Sequence, residues 1–205
     1  MNDSKLAELA RLISGWHGLV AGPPEALIAD SLVLLDHLGD ARTLVDVGSG
    51  GGLPGLPLKI ARPELQVTLI EADQAKAAFL VQACTALGLD GVEVVARRAE
   101  EAGHDPRYRE AFDVATARAL APLSVLAELC LPLVRVGGRL LAQKTEKEEV
   151  EPARHAVEVL GGSLESVQGA PSAARHAGIV VVVRKVAATP LQYPRRAGVP
   201  RRKPL

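Results

Sequence analysis

From residue 43 onward, short apolar runs alternate with stretches of helical periodicity, and that alternation admits few architectures. The runs fall at 43–47, 66–71, 92–96, 113–117 and 139–143, and the helical stretches at 54–61, 73–88, 121–134 and 146–160. Strand-like segments that are apolar on both faces, each followed by a helix, describe a parallel sheet covered on both sides. The pattern changes at the end. Segments 164–168 and 178–185 are strand-like with no long helix between them, which predicts an antiparallel pair closing one edge. The expected fold is α/β and Rossmann-like: a mostly parallel seven-stranded sheet with an antiparallel edge strand. Ahead of it, Leu6, Leu9, Ala10 and Ile13 predict an amphipathic helix over 1–15 that ends at Gly15. Residues 16–24 read as a Gly/Pro loop, and Leu27, Ile28, Leu32, Leu35 and Leu38 predict a second helix over 25–38. Three parts are expected: a helical N-terminal region (1–40) packed on the core, a cofactor-binding domain (41–186) and a basic tail (187–205).

Between the first strand and its helix lies Asp46-Val47-Gly48-Ser49-Gly50-Gly51-Gly52-Leu53-Pro54-Gly55. Glycines there allow positive φ and close approach of a ligand to the backbone. Amides at the helix start can hold an anionic group, which in S-adenosylmethionine is the methionine carboxylate. Pro54 and Pro57 sit near the helix start, where a missing N–H costs little. Two registers are open. The dinucleotide pattern Gly-x-Gly-x-x-Gly fails from Gly48 and fits from Gly50 to Gly55, but leaves Ser49 and three consecutive glycines unexplained. The methyltransferase pattern, acidic-x-Gly-x-Gly-x-Gly, is filled by Asp46, Gly48, Gly50 and Gly52. No Gly-Lys-Ser/Thr follows, which argues against a nucleoside triphosphate.

The strand ends supply further candidates. Glu71 closes the second strand, where a carboxylate accepts the hydroxyls of a ribose. Asp73 reads as the cap of the next helix, and Lys76 on its first turn reads equally as surface or substrate-facing. After the third strand come Arg97, Arg98, Ala99, Glu100 and Glu101; Ala99 and Glu100 are candidates to meet the adenine, with a solvated charge run the competing reading. The fourth strand ends in Arg118, where amine methyltransferases often carry an Asn/Asp-Pro-Pro-Tyr motif. An arginine there suits a phosphate, a guanine edge or the cofactor carboxylate. Lys144 occupies a similar position after the fifth strand. Arg118 and Lys144 are the candidates for positioning substrate.

At 205 residues, 48% hydrophobic and 23% charged, the chain suits one domain with a substantial core. It has no run of about 18 apolar residues to span a membrane and no apolar signal core after Met1, so a cytoplasmic protein is expected. Cys84 and Cys130 lie among Ala, Leu and Val and read as buried free thiols; no metal site is expected. The formal net charge is zero, yet residues 184–205 hold seven basic residues and no acidic one, leaving −7 on the rest. Such segregation points to an electrostatic role. Arg195, Arg196, Arg201, Arg202 and Lys203 are the candidates to hold RNA phosphates. Truncation after Lys185 is then expected to weaken RNA binding and spare the cofactor.

The segment from Leu44 to Leu58, followed by Arg62-Pro63, resembles the first motif of the bacterial RsmG (GidB) methyltransferases, class I enzymes that methylate guanine N7 in 16S ribosomal RNA. Arg118-Ala119, the Lys144 strand end, and Tyr193-Pro194-Arg195-Arg196-Ala197-Gly198-Val199-Pro200 with Lys203-Pro204-Leu205 match further family segments, so the likeness covers about residues 25–205. It implies S-adenosylmethionine as cofactor, contacts at Gly48, Leu53, Ala99, Glu100 and Arg118, and a guanosine of the 530 loop (position 527 of that RNA) as target. Ser49 and the other loop residues are expected at the same cofactor. The chain departs from the family in a shorter N-terminal region, in Leu27 where histidine is usual, and in Gly18-Leu19-Val20 where an Asn-Leu-Thr-like stretch is usual. Because N7 carries a lone pair and loses no proton, no general base is expected. The expected partner is 16S ribosomal RNA or the small subunit, bound by a monomer. Three other readings stay open: a methyltransferase of another substrate, a nicotinamide oxidoreductase through the Gly50 register, and an RNA-binding module with reduced catalysis.

Overall fold

The computed structural model describes residues 2–118 and 121–205. Its strands are β1 (Thr43–Val47), β2 (Gln66–Ile70), β3 (Val92–Val95), β4 (Phe112–Arg118), β5 (Val134–Thr145), β6 (Gly162–Gly169) and β7 (Gly178–Lys185). Its helices are α1 (Asp3–Ser14), α2 (Pro24–Leu32), α3 (Leu35–Leu38), α4 (Gly55–Ala61), α5 (Gln74–Ala86), α6 (Ala99–Ala102), α7 (Leu123–Cys130), α8 (Arg154–Val159) and α9 (Val199–Arg202). The strands form one sheet in the order β3-β2-β1-β4-β5-β7-β6. Pairings from β3 through β5 are parallel; β7 runs antiparallel to both β5 and β6. The order reverses between β1 and β4, and in such sheets a crevice for ligand opens beyond the strand C-termini at that point.

Parallel strands are buried on both faces, so their sequences read as continuous apolar runs. Each face carries its own core. On one, Leu9 and Ile13 of α1, Leu27 and Ile28 of α2, and Leu56 of α4 pack with Phe79 of α5 and Leu69 of β2. On the other, Leu126 and Leu129 of α7 pack with Val45, Ala115, Leu140 and Val181. The N-terminal helices thus share a core with the sheet.

Several helix boundaries differ from the sequence expectation, each for a local reason. The helix expected over 25–38 divides into α2 and α3, where the Leu34 amide bonds Ser31 rather than continuing the α pattern. The helix expected over 121–134 stops at Cys130. Pro132 lies in a short 3-10 turn (Leu131–Leu133), and Val134 already pairs with Phe112 as strand. The stretch 146–160 contributes only α8 after another 3-10 turn holding Pro152. Ala119, part of the quoted family motif, lies outside the described residues.

Asp113 sets the register of the two central strands. Its Oδ2 accepts the amides of Arg42 and Thr43 at 2.8 and 2.9 Å, its own amide donates to Thr43 Oγ1 at 2.9 Å, and Arg135 Nε donates to Oδ1 at 2.6 Å. Burial alone would raise this carboxyl, but the Arg42 amide, the Arg135 guanidinium and the Thr43 amide outweigh it and hold it at about 2. An unfolded aspartate titrates near about 3.9, so the stabilisation is present above that pH and is lost as pH falls through about 2. Asp113→Asn should therefore lower stability at pH 7 by about 2 kcal/mol. Urea unfolding should show the gap between variant and wild type closing as pH drops from 5 towards 2.

Candidate active site

A cleft of about 380 Å³ opens beyond the C-terminal ends of β1, β2, β3 and β4. Its floor is the glycine turn, and the two possible registers of that turn are distinguished by conformation. Gly48, Gly50 and Gly52 have φ of 72°, 53° and 81°. At Gly52 a Cβ would also stand 2.4 Å from Leu56 Cδ1, so no other residue fits. Gly51 is required for a different reason: a Cβ there would lie 2.9 Å from Val20, whose segment Leu19-Val20-Ala21 forms the facing wall. Gly55 sits inside α4, where a Cβ would meet Leu69 at 2.6 Å, so it serves helix–sheet packing. All three consecutive glycines are thereby accounted for, in the alternating register of 48, 50 and 52.

The amides of the turn are mostly used within the protein. Gly48 and Ser49 donate to Ile70 O at 2.9 and 3.1 Å, Gly52 and Leu53 to Ser49 O at 2.7 and 3.1 Å, and Gly50 to Glu71 Oε2 at 2.8 Å. In the first turn of α4, the Gly55 amide donates to Asp46 Oδ2 at 3.1 Å and Leu56 to Gly52 O, while Pro54 and Pro57 have none to give. The helix start is therefore closed by Asp46, and the anion role expected of it passes elsewhere. Asp46 is buried behind the cleft, where Thr116 Oγ1 also donates to it at 2.9 Å. Neither Asp46 nor Gly52 lines the cleft; both shape the turn that does. Burial pushes the Asp46 carboxyl up to about 6 against the pull of Thr116, the Gly55 amide, the Arg118 charge and Ser49.

Glu71 lines the cleft at the end of β2, with Oε1 accepting the Asp73 amide at 2.8 Å. Each carboxylate oxygen keeps a further lone pair for a hydroxyl. Asp73 caps α5 through the amides of Ala75 and Lys76. Ala99 and Glu100 line the cleft after β3, and Lys76, Arg97 and Arg98 give it a basic rim. Glu100 Oε1 accepts the amide of Gly198 at 2.8 Å, a contact from the C-terminal segment.

Arg118 lines the cleft at the end of β4, on the other side of β1 from Glu71. Its Nε is buried and bonded to none of the described residues, and its nearest acid, Asp30 of α2, stands 3.9 Å away. Burial draws its pKa down, with Asp30 and Asp46 opposing. Asp30 is itself fully buried and held by Ser172 Oγ at 2.6 Å and by Arg175 Nε at 2.9 and 3.0 Å to its two oxygens. Gln143 Nε2 donates to the Asp30 carbonyl at 2.7 Å. In sequence Asp30 belongs only to the segment Leu27–Leu32 that resembles a family motif, with no site role, and Arg175 carries no signal of its own. The available signal was a buried acid beside Leu27 and Ile28, but its partner lies 145 residues away.

Lys144 does not join this group. It is 8% exposed, pairs with Glu148 at 2.9 Å and donates to the Ala121 carbonyl, outside the cleft. The basic tail is not a detached arm either. Arg195 is fastened to buried Glu128 by contacts of 2.5 to 3.1 Å, whereas Arg196, Arg201, Arg202 and Lys203 are exposed, Arg201 at the lining of the cleft. Truncation after Lys185 would remove part of the cleft wall and unpair Glu128, so the expectation that it spares the cofactor site does not hold. Cys84 is half-buried and Cys130 buried, both free; burial raises both thiols, Cys84 to about 11. Among the described residues no three His, Cys, Asp or Glu side chains gather as a metal site requires.

A nucleoside carrying an amino acid fits these residues: a carboxylate at the β2 end for hydroxyls, a shaped glycine turn beneath, and at the β4 end a buried guanidinium whose Nε bonds none of the described residues. Sheet order and cleft together define a class I S-adenosylmethionine-dependent methyltransferase. The chain matches the family described as rRNA small subunit methyltransferase G (GidB) over residues 24–177. A ribosomal RNA small subunit methyltransferase G from Roseiflexus sp. (strain RS-1) is 50% identical over 179 residues, covering 86% of this chain and 76% of that one. One from Pelotomaculum thermopropionicum is 46% identical over 182 residues, with 86% and 76% covered. Among solved structures, an O-methyltransferase of Streptomyces achromogenes involved in tomaymycin synthesis, in complex with S-adenosylmethionine, superposes with a TM-score of 0.63 at 18% identity, covering 91% of this chain and 92% of that one. The chain belongs to the rRNA small subunit methyltransferase G family.

Asp46 titrates near about 6 in the fold and near about 3.9 when unfolded, so its contribution favours the fold below about 4 and declines as pH rises through 6. Asp46→Asn removes that decline. Thermal unfolding from pH 5 to pH 7.5 should show wild type losing about 1.4 kcal/mol relative to the variant.

Proposed function

We propose that this chain transfers the methyl group of S-adenosylmethionine to N7 of a guanosine in the 530 loop of 16S ribosomal RNA (position 527 of that RNA). The observation that carries the reading is the pairing, across one glycine turn, of Glu71 at the β2 end with Arg118 at the β4 end, whose Nε bonds none of the described residues. In this reading Glu71 holds the ribose, Ala99 and Glu100 border the adenine, and Gly48, Ser49, Gly50 and Leu53 form the floor. Arg118 holds the carboxylate by a charge-assisted bond. The bound cofactor supplies an activated methyl group on a sulfonium. Guanine N7 offers a lone pair and no proton, so the chain's task is to orient the base and exclude water rather than to act as a base. The exposed Arg196, Arg202 and Lys203, with Lys76, Arg97 and Arg98 at the rim, meet RNA phosphates, and binding weakens as salt rises. The small ribosomal subunit is the partner, the chain acts as a monomer, and it works in the cytoplasm. That last point agrees with there being no described helix long and apolar enough to cross a membrane.

Mapping N7-methylguanosine along 16S RNA from cells with and without the gene tests the reading: one modified guanosine should disappear with the gene, and its persistence would overturn the assignment. Arg118→Ala should weaken S-adenosylhomocysteine binding by at least about tenfold in calorimetry, since it removes a buried charged partner of the carboxylate, with the circular dichroism spectrum unchanged.

A further inference from the structure

At the β4 end of the cleft three charged side chains meet at unequal distances. Asp30 of α2 is fully buried. Its Oδ1 accepts Ser172 Oγ at 2.6 Å and Arg175 Nε at 2.9 Å, and Arg175 Nε also reaches Oδ2 at 3.0 Å. Arg118 Nη1 stands 3.9 Å from Oδ2, beyond hydrogen-bond range. Arg175 owes its place to other groups as well as to Asp30. Its Nη1 donates to the carbonyl of Lys144, at the end of β5, and to that of Ile179 at 3.1 Å, and its amide donates to Ser172 Oγ at 3.1 Å. The backbone of Asp30 is fixed too, because Gln143 Nε2 donates to its carbonyl at 2.7 Å, and Gln143 pairs with Arg118 in the register of β4 and β5. With both backbones held, a shift of the Asp30 carboxylate by about 1 Å separates it from a direct bond to Arg118. A buried carboxylate that lost Arg175 would take that bond, since an unpaired buried charge is costly. The charges already act on Arg118 in opposite senses: beyond the effect of burial, Asp30 and Asp46 favour its charged form and Arg175 disfavours it.

We infer that Arg175 is a positioning residue for Arg118: by holding Asp30, it keeps that acid from capturing the Arg118 guanidinium, which stays available to the carboxylate of the ligand. The inference rests on the S-adenosylmethionine reading above, in which Arg118 holds that carboxylate. Arg175 does not line the cleft and acts through Asp30. Loss of Arg175 turns Asp30 onto Arg118 and leaves the site one positive charge poorer, and both changes disfavour an anion. Loss of Asp30 in addition reverses both.

Calorimetry with S-adenosylhomocysteine, and with 5′-methylthioadenosine, which lacks the amino-acid end, tests it. Arg175→Gln should weaken S-adenosylhomocysteine by about tenfold and leave 5′-methylthioadenosine within about twofold of wild type. Adding Asp30→Asn to Arg175→Gln should restore S-adenosylhomocysteine to within about threefold of wild type, because two neutral amides then replace the buried ion pair. Ser172→Ala loosens the same carboxylate at one oxygen and leaves both charges in place. It should show a smaller loss of the same ligand, and it serves where Arg175→Gln does not fold; melting curves identify the folded variants. Wild-type affinity for S-adenosylhomocysteine in folded Arg175→Gln or Ser172→Ala overturns the inference, as does a loss shared equally by both ligands or one that Asp30→Asn fails to rescue. Failure of the wild-type chain to bind S-adenosylhomocysteine overturns the cofactor reading itself, which separates the two outcomes.

Discussion

The carboxylate of Asp46 joins the three elements that make the cleft. It sits at the end of β1, accepts the Gly55 amide at the start of α4, and receives the hydroxyl of Thr116 from β4. Without an acceptor at that point, the first turn of α4 would present an unsatisfied buried amide, and the left-handed turn from Gly48 to Gly52 would lose its anchor. Burying the charge is unfavourable, as the raised carboxyl shows, but the helix start and the nearby Arg118 both favour a negative charge there. The acid therefore shapes the floor without standing on it.

Positive charge divides in a similar way. Arg175 and Arg195 face buried acids, Asp30 and Glu128, and each ties a late segment of the chain to an earlier helix. Breaking such a pair by removing one partner costs several kcal/mol, about 3–5, because the other charge stays buried. Arg118 shares Asp30 only at the limit of contact, and its buried Nε bonds none of the described residues. Counting basic residues cannot separate these roles, because the separation lies in which acid each one meets.

The architecture was legible because buried parallel strands and their helices leave periods that survive in sequence, and because Asp46-x-Gly-x-Gly-x-Gly constrains backbone angles locally. The antiparallel pair was legible from a missing helix between 168 and 178. The need for glycine at 51 was not, since it comes from Val20 across the cleft. The helix expected to 134 overran Pro132 because apolar periodicity continues past a residue that cannot continue the helix, and the one expected from 146 begins only at Arg154, after the 3-10 turn that holds Pro152. Lys144 and Arg195 were assigned to function on position and charge, yet their partners are Glu148, near in sequence, and Glu128, far from it. Arg201 became distinguishable from Arg202 only when the path from β7 was known.

That path follows from strand direction. Because β7 is reversed between β5 and β6, the chain leaves the sheet at the edge opposite the ligand crevice and must travel the height of the domain to come back. On the ribosome the glycine turn emerges long before residues 198–202, so a nascent chain holding the whole sheet still has a cleft open along one side. The cleft would then be completed in step with elongation, taking its final shape only after the last turn of helix has docked.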